Sequence, residues 1–272
     1  MTGAARVQDA FRAAHDEGRA ALVIYLPAGF PDEDTSRACI RAAVEAGADV
    51  IEVGFPFSDP MMDGPVIQAA NQHVLDAGLT VDDHFAMCTE LTAEIDVPAL
   101  VMTYITIADT RGYESFAADC AKAGLAGVIL PDLPASEGAP WQEAAAAHDL
   151  ASVFLASSVS TDERLDAIAS ASTGFLYAVG LLGVTGVKGV SQDESSVLVE
   201  RLKSRTDTPI AVGIGVKTRE DAARVATYAD GVIVGSSVVR AVADGDAAGA
   251  PARVAALVAD LRAGCERATT AS

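Results

Sequence analysis

Two carboxylates, Glu52 and Asp63, are the side chains of this sequence best placed for acid–base chemistry. Glu52 lies within an apolar segment that is typical of a buried strand, and loss of contact with water raises the pKa of a carboxyl group. Asp63 follows in a loop, residues 55–65, which three prolines and a glycine stiffen. Two carboxyl groups in different environments can differ in protonation state near neutral pH, one protonated and the other ionised. The pair therefore predicts general acid–base catalysis.

Each acid also has a structural interpretation that the sequence leaves open. Glu52 could form a buried ion pair, although no predicted strand contains a Lys or Arg to match it. Asp63 could cap the helix that begins near Pro65, because Asp-Gly-Pro is a common turn sequence. Asp59 has the same ambiguity, and Asp132 could simply order the loop in which it lies.

The elements that must position these side chains alternate along the chain. Eight short runs rich in Val, Ile and Leu, without polar alternation, are typical of parallel strands buried on both faces. They cover residues 21–26, 50–53, 99–104, 127–130, 152–155, 175–179, 210–212 and 231–234. Helical patterns separate them at residues 36–46, 82–94, 113–123, 136–148, 162–171, 197–203, 219–227 and 251–267. This alternation predicts an α/β fold, a (β/α)₈ TIM barrel, with an open doubly wound sheet as the alternative.

The ends of the chain predict one added element and one disordered tail. Residues 1–20 carry charges throughout, and Val7, Phe11 and Ala14 share one helical face, so we expect an extra N-terminal helix that packs on the barrel. No break in composition divides the sequence, which favours a single domain over residues 1–272. We expect the polar tail, residues 268–272, to be disordered.

Composition argues against several classes of function. The formal net charge of −19 makes nucleic acid and anionic membranes poor partners, and no apolar run is long enough to cross a bilayer. Four cysteines without CxxC spacing argue against zinc and a disulfide framework, and they fit a reducing cytoplasm, where we expect the protein. Four histidines without metal-ligand spacing are expected to lie on helix surfaces: His15, His73, His84 and His148.

The carboxyl ends of barrel strands carry the active site, so the residues that follow each predicted strand matter most. Clusters of small residues follow the last three strands and predict a phosphate site, although they could serve only as tight turns. These clusters are Gly183-Val184-Thr185-Gly186, Gly213-Ile214-Gly215 and Gly235-Ser236-Ser237. Tyr104 and Tyr177 could bind a ligand, although packing in the core is their expected role.

The motifs together resemble those of the tryptophan synthase alpha subunit family, which are indole-3-glycerol-phosphate lyases. The most specific segment runs from Glu52 to the turn Asp63-Gly64-Pro65. The other shared segments are Tyr25-Leu26-Pro27-Ala28-Gly29-Phe30-Pro31, Ala46-Gly47-Ala48-Asp49, Val101-Met102-Thr103-Tyr104, Pro131-Asp132-Leu133-Pro134, Gly183-Val184-Thr185-Gly186 and Gly231-Val232-Ile233-Val234-Gly235-Ser236.

The resemblance implies a retro-aldol reaction in tryptophan biosynthesis. Indole-3-glycerol phosphate would be cleaved to indole and glyceraldehyde 3-phosphate without a cofactor, because the protonated indole ring accepts the electrons. By the family's pattern, Glu52 moves the protons at indole C3 and at the side-chain hydroxyl. Asp63 accepts a hydrogen bond from the indole N–H and stabilises its developing positive charge.

The resemblance also implies a set of substrate-binding residues. Tyr25, Met102 and Ile129 would line the indole pocket, and Tyr177 would lie close to Glu52. Thr185 lies on a loop that, in the family, closes over substrate and contacts Asp63. The phosphate would be held by Gly186, Gly215, Gly235 and Ser236.

A partner is implied as well, namely a pyridoxal-phosphate beta subunit in an α₂β₂ complex, and that cofactor is expected only in the partner. The segment Tyr104-Ile105-Thr106-Ile107 lacks the family's usual Asn-Pro on the side toward the partner. This difference leaves open a stand-alone lyase that releases free indole.

Two other classes of function remain as alternatives. One is a non-catalytic regulatory partner of a beta-type subunit, against which the intact carboxylate pair argues. The other alternative is an isomerase or aldolase on the same barrel. No predicted strand contains a lysine, which argues against an aldolase of the Schiff-base kind.

Overall fold

The fold is seen in a computed structural model that describes residues 1–179, 192–213 and 215–267. The described strands form one sheet in which every pairing is parallel, in the order β5-β4-β3-β2-β1-β9-β8-β7-β6. They are β1 Ala21–Pro27, β2 Val50–Gly54, β3 Ala99–Met102, β4 Gly127–Ile129, β5 Ala151–Val153, β6 Leu155–Ser157, β7 Leu176–Val179, β8 Ile210–Val212 and β9 Gly231–Val234.

The sheet closes into a barrel at Phe154. β5 pairs with β4, β6 pairs with β7, and only Phe154 separates β5 from β6, so the two segments act as one barrel strand. The Phe154 carbonyl accepts a hydrogen bond from the Tyr177 amide at 3.2 Å. The predicted TIM barrel is therefore confirmed. The predicted strand at 152–155 is wrong in its bounds, because β5 ends at Val153 and β6 begins at Leu155.

Helices surround the barrel and lie mostly where the periodicity predicts them. They are α1 Gly3–Asp16, α2 Glu33–Glu45, α3 Pro65–Asp76, α4 Val81–Glu94, α5 Ile105–Arg111, α6 Tyr113–Lys122, α7 Ala139–Ala147, α8 Asp162–Ala171, α9 Gln192–Lys203, α10 Arg219–Ala226, α11 Ser236–Ala243 and α12 Ala250–Gly264. The helix predicted at 136–148 begins later, because Pro140 occupies its first turn and a single 3₁₀ turn, Ala135–Glu137, precedes it. In the described part of the chain, no helix is both long and apolar enough to cross a membrane.

The predicted N-terminal helix is α1, and it closes the amino-terminal end of the barrel. Its apolar face, Val7, Phe11 and Ala14, is buried within the cluster that fills the barrel interior. The Phe11 ring stacks on Phe175 with a centroid distance of 5.5 Å, and the Phe175 ring lies 6.2 Å from that of Tyr177. A continuous aromatic column therefore extends from this helix toward the carboxyl ends of the strands.

Alternation along β2 decides which way Glu52 points. Val50 belongs to the interior cluster, whereas Ile51 and Val53 belong to the cluster between the strands and the outer helices. Successive side chains of a strand point to opposite faces, so Glu52 points into the barrel with Val50. The strand thus places a carboxyl group among apolar side chains near the catalytic end.

A buried ion pair fixes the opposite end of β2. The Arg19 guanidinium, which is 5% exposed, contacts both carboxylate oxygens of Asp49 at 2.5 and 2.8 Å. The same carboxylate accepts a hydrogen bond from the Leu22 amide of β1 at 2.7 Å. Asp49 is therefore a structural acid that aligns the starts of two neighbouring strands.

Candidate active site

Glu52 is fully buried, and no charged group among the described residues compensates its carboxylate. Its side chain is 0% exposed, and neither carboxylate oxygen has a hydrogen-bond partner among the described residues. Burial raises the pKa of Glu52 from 4.5 to about 8, because an ionised carboxylate loses its hydration there. The buried ion pair considered from the sequence is thus absent from the described structure, and Glu52 is mainly protonated at neutral pH.

Two tyrosines lie close to Glu52. Tyr25 is its neighbour in the β1–β2 register, and a Cβ at Gly54 would overlap the Tyr25 hydroxyl, so the ring crosses β2 at its next inward position. Burial raises the pKa of Tyr177, and the charges of Glu52 and Asp63 raise it further. A Cβ at Gly213 would overlap the Tyr177 hydroxyl in the same way.

Asp63 is held by side chains and does not cap the helix that follows. The residue in the N-cap position of α3 is Gly64, and Asp63 instead accepts a hydrogen bond from Asn71 Nδ2 at 3.2 Å on its Oδ2 atom. Asp63 is 7% exposed, and burial raises its pKa from 3.8 to about 6, against the opposing effect of a hydrogen bond from Tyr104. At neutral pH, Asp63 is therefore mainly ionised while Glu52 is mainly protonated.

Tyr104 organises the loop that carries Asp63. Its ring is buried and stacks on Phe57 at 5.0 Å, as packing in the core requires. Its hydroxyl also accepts a hydrogen bond from the Met62 amide at 2.9 Å. Tyr104 therefore does more than pack in the core, because its hydroxyl also holds Met62, the residue next to Asp63.

The remaining candidate acids have local roles. Asp132 accepts a hydrogen bond from the Ile105 amide at 2.9 Å, in the first turn of α5, and so orders its loop as the sequence suggested. Asp59 is exposed and accepts a hydrogen bond from the Ser58 hydroxyl at 2.6 Å.

The prediction that His84 lies on a helix surface is wrong. Its side chain is 2% exposed, its ring lies 5.3 Å from that of Phe55, and burial lowers its pKa to about 4. The reason is that α4 turns this face toward the segment that leaves β2, and Phe85 of the same helix also contacts Phe55. Among the residues that the structure describes, no cluster of acids, histidines and cysteines could hold a metal ion.

The predicted indole-pocket residues come together at the catalytic end. Met102 packs both against the interior cluster, which contains Ile129 and Tyr177, and against the cluster that contains Tyr25. Its register partners are Gly54 on one side and Ile129 on the other. Thr185 and Gly186 lie outside the described residues, so their roles, like those of the other site residues, stay predictions.

The predicted phosphate site combines a left-handed glycine with an open helix N-terminus. Gly215 has a φ of +68°, which favours glycine, and the Ser237 hydroxyl donates to the Val216 carbonyl at 3.0 Å, tying this loop to α11. Gly235 is the N-cap of α11, has a φ of −116°, and offers no side chain to the first helical amides. A Cβ there would meet Tyr25 at 3.4 Å and Ile67 at 3.7 Å, which are ordinary contacts. The φ of Gly235 lies outside the left-handed region, and a Cβ there would make only ordinary contacts, so neither a positive φ nor a close contact accounts for glycine at 235.

The protein-family model described as tryptophan synthase alpha chain matches residues 11–269. The chain belongs to this family. Its relatives include the tryptophan synthase alpha chain of Streptomyces coelicolor, 47% identical over 260 residues that cover 95% of this chain and 96% of the relative. The alpha chain of Nocardia farcinica is 44% identical over 272 residues, which is 100% of both chains.

Solved structures agree with this membership in the tryptophan synthase alpha chain family. The structure of Mycobacterium tuberculosis tryptophan synthase superimposes with a TM-score of 0.90 at 42% identity, covering 97% of this chain and 99% of that chain. Tryptophan synthase subunit alpha from Legionella pneumophila superimposes with a TM-score of 0.88 at 31% identity, covering 97% and 98%. The predicted family, barrel and role as an alpha chain of tryptophan biosynthesis, and with them the lyase class, are confirmed.

Sequence reasoning missed Asn71 and Gln68, two amides on α3 that contact Asp63. Gln68 Nε2 donates to the main-chain oxygen of Asp63 at 2.9 Å, and Asn71 contacts its carboxylate. Asn71 shares the buried face of α3 with Ile67 and Val74, at the i, i+4 and i, i+3 spacing of one helical stripe. A polar residue on that apolar stripe, shortly after a candidate catalytic acid, was the available signal.

Proposed function

We propose that this chain cleaves indole-3-glycerol phosphate to indole and glyceraldehyde 3-phosphate, with Glu52 as proton carrier and Asp63 as the acceptor of the indole N–H. The observation that carries the proposal is Glu52 itself, a fully buried carboxyl group without a hydrogen-bond partner in the described structure. A buried acid whose pKa lies near 8 holds its proton at neutral pH and can deliver it in the transition state.

The reaction balances with these two groups. The Glu52 carboxyl protonates indole C3, and the positive charge that develops on the ring is stabilised by the ionised Asp63 at the N–H. The bond between C3 and the side chain breaks, its electron pair returns to the ring, and the adjacent hydroxyl becomes the aldehyde. The Glu52 carboxylate takes the hydroxyl proton, so the group ends as it began, and the ring itself serves as the electron acceptor in place of a cofactor.

The two pKa values predict the pH range of this chemistry. Asp63 must be ionised, which requires a pH above about 6, and Glu52 must be protonated, which requires a pH below about 8. We therefore expect a bell-shaped dependence of kcat/KM on pH.

The phosphate is proposed to bind at the amino-terminal end of α11. The helix N-terminus presents unsatisfied amides and the positive end of the helix dipole, which suits an anion in a chain of net charge −19. Gly215, Gly235 and Ser236, with Gly186 from the segment that follows β7 in the sequence, are the residues assigned to this end of the substrate.

Gly235→Ala should raise KM for indole-3-glycerol phosphate by about tenfold, because a methyl group would occupy the space in which the phosphate approaches the amides. Folding stability should change little, since the new Cβ makes only ordinary contacts. Steady-state indole release and thermal unfolding measure the two effects.

The matched control for that substitution is Gly78→Ala. Gly78 has a φ of +81°, and no atom of the described residues lies within 4 Å of a Cβ built there. The control should lose about 1 kcal/mol of stability through backbone strain while KM stays unchanged. An unchanged KM in Gly235→Ala would contradict the phosphate assignment.

We also propose that the chain works with a pyridoxal-phosphate beta subunit, the partner that membership in the tryptophan synthase alpha chain family implies. The test is indole release by the purified chain, alone and with a tryptophan synthase beta subunit from Streptomyces coelicolor, the source of one of its relatives. We expect measurable cleavage alone and faster cleavage in the mixture. No indole in either case would overturn the reaction, whereas strong activity without stimulation would overturn the partnership and leave the reaction intact.

A further inference from the structure

Asn71 is a buried amide with one partnered end and one unpartnered end. Its side chain is 3% exposed, and Nδ2 donates to Asp63 Oδ2 at 3.2 Å. Its Oδ1 atom has no hydrogen-bond partner among the described residues. A buried acceptor without a partner costs roughly 1–3 kcal/mol, so the position is not explained by stability alone.

The contact with Asp63 fixes which way this amide faces. An ionised carboxylate only accepts hydrogen bonds, so the nitrogen of Asn71 must face Asp63 and the oxygen must face away. The same side chain lies beside the Tyr25 hydroxyl, where its hydrogen bonding opposes the rise in the pKa of Tyr25 caused by burial and by Asp63 and Glu52. Asn71 therefore links the acid of the loop to a tyrosine of the barrel wall.

We propose that Asn71 is a positioning residue that holds the Asp63 carboxylate in one orientation and in its ionised form, with the unpartnered Oδ1 as the cost of that arrangement. The inference rests on the proposed function, in which the ionised Asp63 accepts the indole N–H. Asn71 itself need not touch the substrate, since it acts through Asp63.

The physical basis is the donor that Asn71 supplies. A hydrogen bond to the charged form of a carboxyl group favours that form, so we expect the donor at 3.2 Å to oppose the effect of burial on Asp63. Among the described residues, Asp63 acts electrostatically on Tyr25 from β1, Tyr104 after β3 and Tyr177 from β7, and Glu52 from β2 acts on two of these tyrosines, Tyr25 and Tyr177. Glu52 and the three tyrosines are all mainly neutral at pH 7, so removal of the Asn71 donor leaves Asp63 with Tyr104 as its remaining described donor.

Gln68 provides the matched control on the same helix. It is also an amide that contacts Asp63, but it donates to the main-chain oxygen at 2.9 Å and to the Pro60 carbonyl at 3.4 Å. Loss of Gln68 should loosen the loop without removing a donor from the carboxylate. Any effect that Asn71→Leu has and Gln68→Leu lacks therefore reports the carboxylate contact.

The experiment measures the titration of the Asp63 carboxyl carbon by ¹³C NMR in the full-length chain, together with kcat/KM for indole-3-glycerol phosphate from pH 5 to 8. In Asn71→Leu we expect the Asp63 midpoint and the acid limb of kcat/KM to move upward by about one pH unit. Activity at pH 6 should fall about fivefold and should recover largely by pH 7.5. Asn71→Asp, which adds a like charge, should move the midpoint further, and Gln68→Leu should leave it in place.

The outcomes separate the two proposals. An unchanged Asp63 midpoint in folded Asn71→Leu, verified by circular dichroism, would overturn the role of Asn71 whatever the activity. A shifted midpoint in a chain whose wild type does not cleave the substrate would instead support Asn71 as the positioning residue and overturn the proposed function. If Asn71→Asp does not fold, the result for Asn71→Leu alone tests the role of Asn71, because the leucine variant adds no buried charge.

Discussion

Glu52→Gln is expected to lower turnover of indole-3-glycerol phosphate by about 10²–10⁴-fold, the usual contribution of a positioned acid–base group. Glutamine keeps the shape of the side chain but cannot deliver a proton to C3 or receive one from the hydroxyl. Indole release at pH 7.5, measured with enzyme of verified fold, tests this expectation. Equal rates in the wild type and the variant would sink the mechanism.

The same substitution should stabilise the fold at alkaline pH. Because burial raises the pKa of Glu52 from 4.5 to about 8, the folded chain keeps a proton that the unfolded chain releases. The stability of the wild type therefore falls as the pH rises from about 4.5 through about 8, and glutamine is spared this loss. The advantage of the variant should be close to zero near pH 4.5 and should approach about 5 kcal/mol above pH 8 as an upper value.

Urea unfolding of both proteins at pH 5, 7 and 9 measures that difference. A constant difference across this range would show that Glu52 is not the group whose ionisation destabilises the fold. A difference that grows with pH, together with lost activity, would show that the Glu52 carboxyl group both destabilises the fold at alkaline pH and supports catalysis. Such a trade-off between stability and activity is common at catalytic sites.

Asp63→Asn is expected to lower kcat by about 10²–10³-fold, comparable to the loss of one preorganised group that stabilises transition-state charge. Asparagine can still accept a hydrogen bond from the indole N–H, but it carries no negative charge to oppose the positive charge on the ring. The loss should therefore appear mainly in kcat, with a smaller effect on KM. Steady-state indole release at pH 7.5 separates the two parameters.

Asp59→Asn is the matched control for Asp63→Asn. Both acids lie on the same loop, but Asp59 is exposed and contacts the Ser58 hydroxyl. In assays of the isolated chain, Asp59→Asn should retain the wild-type rate. Equal losses in the two variants would mean that the loop as a whole, and not the Asp63 charge, matters for catalysis.

The barrel and its two acids could be predicted because their signals are local. Buried parallel strands read as short apolar runs, and Glu52 stands out within one of them by its charge alone. The same reasoning predicted α1 from the spacing of Val7, Phe11 and Ala14, which the structure buries. Family membership adds a check that does not depend on the fold, since the match extends over nearly the whole chain.

The features that could not be predicted depend on contacts between distant segments. The break at Phe154 follows from closure of the barrel, and α5 has only seven residues and no side-chain cap from Tyr104, so its local signal is weak. His84 carries no local sign that its face of α4 meets Phe55. The roles of Tyr104 and Asn71 likewise require knowledge of where the loop of Asp63 lies in space.

The aromatic column on α1 has a consequence for the chemistry at the other end of the barrel. Phe11, Phe175 and Tyr177 fill the interior between the N-terminal helix and the level of Glu52. Together they form a layer of low dielectric constant that keeps solvent from reaching the carboxyl group from below. The pKa of Glu52 therefore depends in part on α1, within the first sixteen residues. Removal of this helix should expose the barrel interior and lower the pKa of Glu52 toward its ordinary value.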